Sequence, residues 1–213
     1  MIITRFLADM LFMEHSETVL ASFFGINAIT LFVGGILYAF YLSVCGSPFV
    51  QCFFVWCFFM ELIVTWNAQS YMTAVKEYRG IMISYFLALS VTLLLSFILL
   101  KNGADTVIGI LVSLCVGYGL MLLYDFRLIF RRFPDSNVSP FMFTRWVDRF
   151  IVLGLIGLMT TIGMFSHLII VWVSPLQVIV EGLWMGAPYY DVASLMSFLT
   201  ILLLPSALSF PWR

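Results

Sequence analysis

Long apolar runs with almost no charged residues constrain this chain more than any other feature. Residues 19–44 contain no Asp, Glu, Lys or Arg, and several further runs of similar length follow. About 20 consecutive apolar residues are needed for a helix to cross the hydrocarbon core of a bilayer. Only 10% of the 213 residues are charged, against about a quarter in a soluble domain. The sequence therefore predicts an all-α, polytopic integral membrane helix bundle.

Turn signals divide the apolar sequence into six spans. Cys45-Gly46-Ser47-Pro48 and Lys101-Asn102-Gly103 are two of these breaks. The first apolar run, residues 2–13, is too short to span and contains Arg5 and Asp9, so it predicts a short N-terminal helix. We predict a single transmembrane domain over residues 1–213, with a cytoplasmic basic loop at 126–149 and spans at about 19–44, 49–75, 81–100, 106–124, 150–173 and 192–210.

The distribution of Lys and Arg predicts the orientation. Half of the ten basic residues lie in the loop at 126–149: Arg127, Arg131, Arg132, Arg145 and Arg149. With six spans, the loop shares its side with Arg5, Lys76, Arg79 and Arg213, and the other side holds only Lys101. Basic residues accumulate on the cytoplasmic side. We therefore expect both termini in the cytoplasm and the loop to act as a topological anchor or as a docking site for a partner.

Four polar side chains within the spans are candidates for a substrate path: Glu61, Asn67, Gln69 and His167. A carboxylate at bilayer depth costs at least ~2.5 kcal/mol on insertion scales, so Glu61 should face a cavity or a partner, or be protonated. It either lines a polar path or takes up a coupling proton, or it is a structural residue hydrogen-bonded inside the bundle. For His167, binding of substrate and a structural hydrogen bond are likewise both open.

Two segments near the spans carry further expectations. Asp125, at the end of the fourth span, is expected to pair with Arg127 or with an Arg of the following loop at the membrane surface. Residues 174–191 contain two prolines and several aromatics. This composition suits an interfacial loop or a short helix on the outer surface.

The sequence contains none of the common catalytic or nucleotide-binding motifs. A Walker loop, GxSxG, HExxH and a dinucleotide fingerprint are all missing from the 213 residues. We therefore predict a protein that is not an enzyme, with no catalytic residues, no cofactor, no metal and no nucleic-acid partner. An intramembrane enzyme, the alternative, would require Glu61 and His167 to converge.

Several short motifs resemble one family of membrane transporters. They are Thr4-Arg5-Phe6-Leu7-Ala8-Asp9, Phe23-Phe24-Gly25, Leu155-Ile156-Gly157 with Gly163, Trp172-Val173-Ser174-Pro175 and Pro188-Tyr189-Tyr190-Asp191. In order and spacing these resemble PelG, the family of inner-membrane Pel exopolysaccharide transporters in the multidrug/oligosaccharidyl-lipid/polysaccharide flippase group. Members of the family are longer, so this chain resembles a shortened, internal portion: either a truncated product or half of a split transporter.

The resemblance implies a function in polysaccharide export for biofilm formation. The family's activity would be movement of a hexosamine-rich polymer across the cytoplasmic membrane by flippase-type alternating access. Its implied partners are membrane lipid, the polysaccharide, a cytoplasmic glycosyltransferase and other Pel membrane proteins. The alternative is a non-transporting membrane scaffold that recruits the glycosyltransferase through the basic loop.

Overall fold

The computed structural model describes residues 2–133, 138–181 and 184–197. The chain forms two compact units, Met1–Gly157 and Leu158–Arg213, and each is described by itself below. Helices dominate the described residues, as the sequence predicts. The single transmembrane domain over 1–213 stays a prediction.

Among the described residues, five helices are long and apolar enough to cross a membrane: α2, α3, α4, α5 and α7. An all-α, multi-pass membrane protein is therefore confirmed. Of the predicted sixth span, residues 192–197 are helical and the remainder lies outside the described residues. The helices that precede residue 174 are α1 Ile2–Phe12, α2 Glu17–Cys45, α3 Phe49–Ala74, α4 Tyr78–Lys101, α5 Thr106–Arg132, α6 Thr144–Arg149 and α7 Ile151–Val173.

Local sequence explains where the spanning helices begin and end. Gly46 ends α2 with a φ of 82°, in the left-handed region that glycine adopts without steric cost. Gly103 has the same φ in the turn after α4. The Asp105 carboxylate then caps α5 by accepting hydrogen bonds from the backbone N–H groups of Val107 and Ile108, at 3.0 and 3.1 Å.

Helix α5 extends further than the sequence suggested. The basic loop was predicted to begin at residue 126, but α5 continues to Arg132 and includes three of the five loop arginines, while α6 includes the other two. The reason is packing: Ile129 and the following Phe133 are both buried, and their contacts hold the last turns of α5 in place. The hydropathy drop caused by the arginines marked the end of the apolar run, not of the helix.

The buried core of the first unit lies at one end of the bundle. Helix α1 contributes Phe6 and Leu7, the first turns of α2 contribute Phe23, the last turns of α3 contribute Tyr71, and α5 contributes Ile129. On the outer face of α1, Arg5 pairs with Asp9 at 3.2 Å. By the predicted orientation this end is cytoplasmic. Much of the remaining surface of the spanning helices is exposed and apolar, as expected for helices in contact with lipid.

The second unit contains a short β-hairpin that the sequence did not predict. Strand β1, Val178–Glu181, pairs antiparallel with β2, Trp184–Gly186. Three consecutive β-branched residues in β1 favour a strand. The aromatic residues of this segment drew the prediction toward a loop or short helix instead. Residues 188–197 then form a helix.

Candidate translocation path

The amide of Asn67 is bound to helix α2. Its Nδ2 donates to Asn27 Oδ1 and lies 3.0 Å from both that atom and Thr30 Oγ1. Asn27 in turn donates to the carbonyl oxygen of Phe23 at 2.9 Å. Thr30 donates to the Ile26 carbonyl oxygen at 2.8 Å. These bonds use the side chain of Asn67 to join two helices.

Two further hydrogen bonds join the same helices. Tyr71 donates to Ser22 Oγ at 3.0 Å, and Trp56 donates to the carbonyl oxygen of Gly35 at 3.1 Å. The interface between α2 and α3 thus contains several polar groups that bond to one another, as buried polar groups in proteins generally do.

The other polar residues of α3 lie on a different face. Glu61, Thr65 and Gln69 are four residues apart, which places them in one row along a helix. Glu61 Oε1 lies 3.5 Å from the position that a Cβ on Gly119 of α5 would occupy. Gln69 Oε1 accepts a hydrogen bond from Tyr85 of α4 at 2.9 Å. We call this row, which faces α4 and α5, the polar row.

The polar row contains most of the unpaired polar atoms in the described interior. Among the described residues, five buried side-chain oxygen or nitrogen atoms lack a hydrogen-bond partner: Glu61 Oε2, Thr65 Oγ1, Gln69 Nε2, Asp125 Oδ1 and Asp125 Oδ2. Such atoms are rare in folded proteins, and each one calls for an explanation. All five belong to α3 and α5, two helices that pack against each other.

Asp125 is the functional candidate that sequence reasoning missed. The predicted pairing with Arg127 is wrong: Asp125 is 0% exposed, and its two oxygens are unpaired. Arg127 is exposed, because two residues turn a helix by about 200°. The sequence does contain a pattern that places Asp125 on the buried face, because α5 buries every fourth residue. These residues are Gly109, Ser113, Gly117, Met121, Asp125 and Ile129.

Helices α4 and α5 approach closely along this buried face. A Cβ on Gly117 would collide with Thr92 Oγ1 and would lie 2.8 Å from the carbonyl oxygen of Ala88. Thr92 also donates to the carbonyl oxygen of Ser113 at 3.3 Å. Small residues permit such close packing of helices in membranes. Asp125 therefore lies in an interface where the two backbones nearly touch.

His167 belongs to the second unit and is half-buried there. A ring nitrogen, Nε2, lies 3.3 Å from Ser194 Oγ, and the ring packs edge-on against Tyr190 with centroids 5.9 Å apart. Nearby, Trp172 donates to Asp191 Oδ1 at 2.9 Å. These contacts join α7 to the helical residues 188–197. A role for His167 in a substrate path stays a prediction.

The basic residues near the end of α5 differ in their contacts. Arg132 Nη1 lies 3.0 Å from Glu77 Oε2, an ion pair that links α5 to the turn before α4. Arg127, Arg131 and Arg145 are exposed. The side chain of Arg149 lies outside the described residues. Within the ranges that the structure describes, no group of three His, Cys, Asp or Glu side chains is arranged to hold a metal ion.

Comparison with protein families identifies the chain. The sequence model of the exopolysaccharide exporter (EPS-E) family PelG matches residues 1–211, nearly the whole chain. The chain belongs to the PelG family. No curated protein and no solved structure matches it significantly.

Membership in the PelG family and the apolar helices agree with each other. A family of exporters acts in a membrane, and five helices of this chain are able to cross one. This PelG-family chain is therefore a multi-pass membrane component of exopolysaccharide export. The family is of the transporter type, which fits the absence of catalytic motifs from the sequence.

Proposed function

We propose that this PelG-family chain moves a hexosamine-rich polysaccharide across the cytoplasmic membrane by a flippase-type alternating-access mechanism. The observation that carries the proposal is the polar row of α3, whose Glu61, Thr65 and Gln69 each have an unpaired buried atom. It acts as a component of a multi-pass inner-membrane assembly, with both termini on the cytoplasmic side.

The chemistry of a sugar polymer suits the polar row. Hydroxyl and amine groups of hexosamines both donate and accept hydrogen bonds, so a polymer inside the bilayer needs a lining of polar groups to replace water. Carboxylate, hydroxyl and amide side chains supply both donors and acceptors. In the conformation described, α4 and α5 pack against this row, and a movement of these helices would expose it.

The residues of the α2–α3 interface have a different role in the proposal. Asn67 is bonded to Asn27 and Thr30, so it holds α3 against α2 while the opposite face of α3 meets the polymer. Alternating access requires one part of a bundle to stay together while another part moves. The α2–α3 interface has side-chain hydrogen bonds, whereas the polar row has buried atoms without partners. The first interface would therefore stay together while the second opens.

Substitution of Glu61 tests the proposal. Glu61→Ala is expected to reduce polysaccharide export at least about tenfold, the loss that a single well-placed interaction of about 1.4 kcal/mol produces. Export is measured as secreted polymer in cells producing the variant in place of the native chain. Glu17→Ala, which removes an exposed carboxylate at the start of α2, is the matched control and should export normally.

Membrane levels of each variant must be measured together with export. The proposal requires Glu61→Ala to reach the membrane at the native level and still fail to export. Normal export by Glu61→Ala at a normal membrane level would remove Glu61 from the mechanism.

A second candidate function rests on the exposed arginines of α5. Arg127 and Arg131 lie within the last two turns of the helix and are exposed. A scaffold without transport activity would use such a surface to recruit a cytoplasmic glycosyltransferase or other Pel membrane proteins. In that case Glu61→Ala would export normally, and charge reversal at the arginines would release the partner.

A further inference from the structure

Asp125 is a buried carboxyl group that nothing in the described interior compensates. It is 0% exposed, and neither oxygen accepts a hydrogen bond. A buried carboxylate without a partner or hydrogen bonds is strongly disfavoured, and such a group becomes neutral instead. We propose that Asp125 is a proton-binding site between α4 and α5, occupied by one proton in this conformation and emptied when the two helices separate.

The groups around Asp125 support a proton as the ligand. The Ser84 hydroxyl of α4 faces the carboxyl group, but it donates to the carbonyl oxygen of Ile81 at 2.9 Å. Its own oxygen can still accept a hydrogen bond, as any hydroxyl oxygen can. A protonated Asp125 has an O–H group to donate, whereas an ionised Asp125 would only accept. Ser84 therefore complements the acid as it stands, and it would stabilise the carboxylate only if its hydroxyl turned away from Ile81.

The other titratable groups of the packed helices do not supply a counter-charge. Tyr71 donates its hydroxyl to Ser22, and Tyr85 donates to Gln69. Glu77 and Arg132 pair with each other. Glu61, the nearest carboxyl of the polar row along α3, would repel a second negative charge. Three arginines of these helices, Arg79 of α4 and Arg127 and Arg131 of α5, are exposed, and none of them is bonded to Asp125. The other titratable side chains on these stretches of α3 and α5 are thiols and phenols: Cys57, Cys115, Tyr118 and Tyr124.

The packing of α3 on α5 places Asp125 beside the proposed polymer path. Cys115 Sγ lies 3.5 Å from the carbonyl oxygen of Phe54, and the rings of Phe58 and Tyr118 are 5.1 Å apart. Both contacts show the two helices running in the same direction. In both contacts the residue number on α5 exceeds the residue number on α3 by about 60. Because both helices rise by about 1.5 Å per residue, this difference stays the same along the pair. Asp125 is therefore level with Thr65.

The close approach of α4 and α5 favours a proton over a metal ion. Gly117 lies two helical turns before Asp125 on the same face of α5. At Gly117 the carbonyl oxygen of Ala88 of α4 leaves no room for a methyl group. Metal ions such as Mg²⁺ and Ca²⁺ take six or more oxygen ligands, whereas a proton requires one carboxylate oxygen. The site has one carboxyl group and one facing hydroxyl group.

The proposed step is a simple protonation. Water delivers a proton to the carboxylate of Asp125, an O–H bond forms, and the neutral acid is then buried as α4 closes on α5. On separation the O–H bond breaks and the proton returns to water. Coupling of this cycle to polymer movement rests on the proposed function, whereas proton binding does not.

Infrared spectroscopy of the purified full chain in nanodiscs tests proton binding without polymer. At pH 7 the wild-type protein is expected to show the carbonyl band of a protonated carboxylic acid, which ionised carboxylates lack. Asp125→Asn should lose the intensity of one such group. Asp105→Asn is the matched control: it is the same substitution on the same helix, and asparagine preserves the cap. Its spectrum should keep the band.

Two results would overturn the proposal. One is a wild-type spectrum without the band at pH 7, and the other is a band that Asp125→Asn leaves unchanged. If Asp125→Asn does not fold, the wild-type protein is treated with dicyclohexylcarbodiimide, which reacts with protonated carboxyl groups in apolar surroundings. Mass spectrometry should then find the label on Asp125 and not on Asp105, and an unlabelled Asp125 refutes the proposal.

Sodium and export measurements complete the test. Replacement of KCl by NaCl should leave the infrared band unchanged, because loss of the band would mean that a metal ion displaces the proton and would overturn the assignment. Polymer export is measured separately in cells. If the infrared band is present but Glu61→Ala exports polymer normally, only the proposed function is contradicted. If the band is absent but Glu61→Ala fails to export, only the proton site is contradicted.

Discussion

The role of each polar residue in the spans depends on which helix it faces. Asn67 and Gln69 are two positions apart in one helix, yet Asn67 bonds to α2 whereas Gln69 bonds to Tyr85 of α4. Two residues turn a helix by about 200°, which sends neighbouring side chains to opposite faces. Of the four path candidates predicted from the sequence, only Glu61 and Gln69 share a face.

The bonds of Asn67 should contribute measurably to stability. Asn67→Ala removes a donor from Asn27 and Thr30 and leaves buried polar atoms behind, so we expect a loss of about 1–2 kcal/mol in the free energy of unfolding. Unfolding in mixed micelles measures this loss. Asn102→Ala, in the exposed turn after α4, should change stability by less than about 0.5 kcal/mol. Equal stability of the two variants would contradict a structural role for Asn67.

Pairs of helices in the first unit differ in how they are held together. The interface of α2 with α3 relies on side-chain hydrogen bonds, whereas α4 and α5 meet through Gly117, Ser84 and Ala88 at close range. Close approach gives favourable van der Waals contact but tolerates no added volume. This interface therefore depends mainly on close fit, with one side-chain hydrogen bond from Thr92 to the Ser113 carbonyl oxygen.

Gly117 should therefore be intolerant of even a methyl group. In Gly117→Ala the new Cβ would meet Thr92 and the backbone of Ala88, and we expect a loss of about 1–3 kcal/mol in the free energy of unfolding. In the same micelle assay, Gly163→Ala should be neutral or stabilising by up to about 1 kcal/mol, because a Cβ at Gly163 has nothing within 4 Å and alanine favours helix. A Gly117→Ala protein as stable as Gly163→Ala would disprove the close packing.

At the scale of the molecule, charge placement and the buried core mark the same end of the first unit. The core cluster gathers α1, the start of α2 and the ends of α3 and α5. The exposed Arg127 and Arg131 lie on the same last turns of α5. In the predicted topology this end faces the cytoplasm, where the positive-inside rule retains basic segments.

Reversal of these two charges should disturb the orientation of the chain. For Arg127→Glu/Arg131→Glu we expect a mixed population, because the anchor loses two of nine positive charges on its side. A phosphatase fused after residue 213, active only outside the cytoplasm, reports the fraction inverted. Lys101→Glu, which alters the lone cation on the other side, should not invert the chain. An unchanged orientation with loss of a bound partner would instead support docking.

The amino-acid sequence was sufficient for the helical class and for the approximate positions of five described spans. Hydropathy and turn residues are local properties, and the bilayer rewards any uncharged run of adequate length with a helix. The end of α5 was placed too early because local hydropathy does not include the packing of Ile129 and Phe133. The hairpin of the second unit was not predicted because the aromatic residues of this segment indicated an interfacial loop or short helix.

Tertiary structure was required to decide which polar residues matter. Whether Asp125 meets an arginine or the face of α4 depends on the rotation and axial offset of helices that lie far apart in sequence. Those quantities follow from side-chain packing along entire helices, such as the fit of Gly117 against Ala88. The sequence shows that Asp125 is present, but only the packing of the helices determines that its carboxyl group is buried and has no partner.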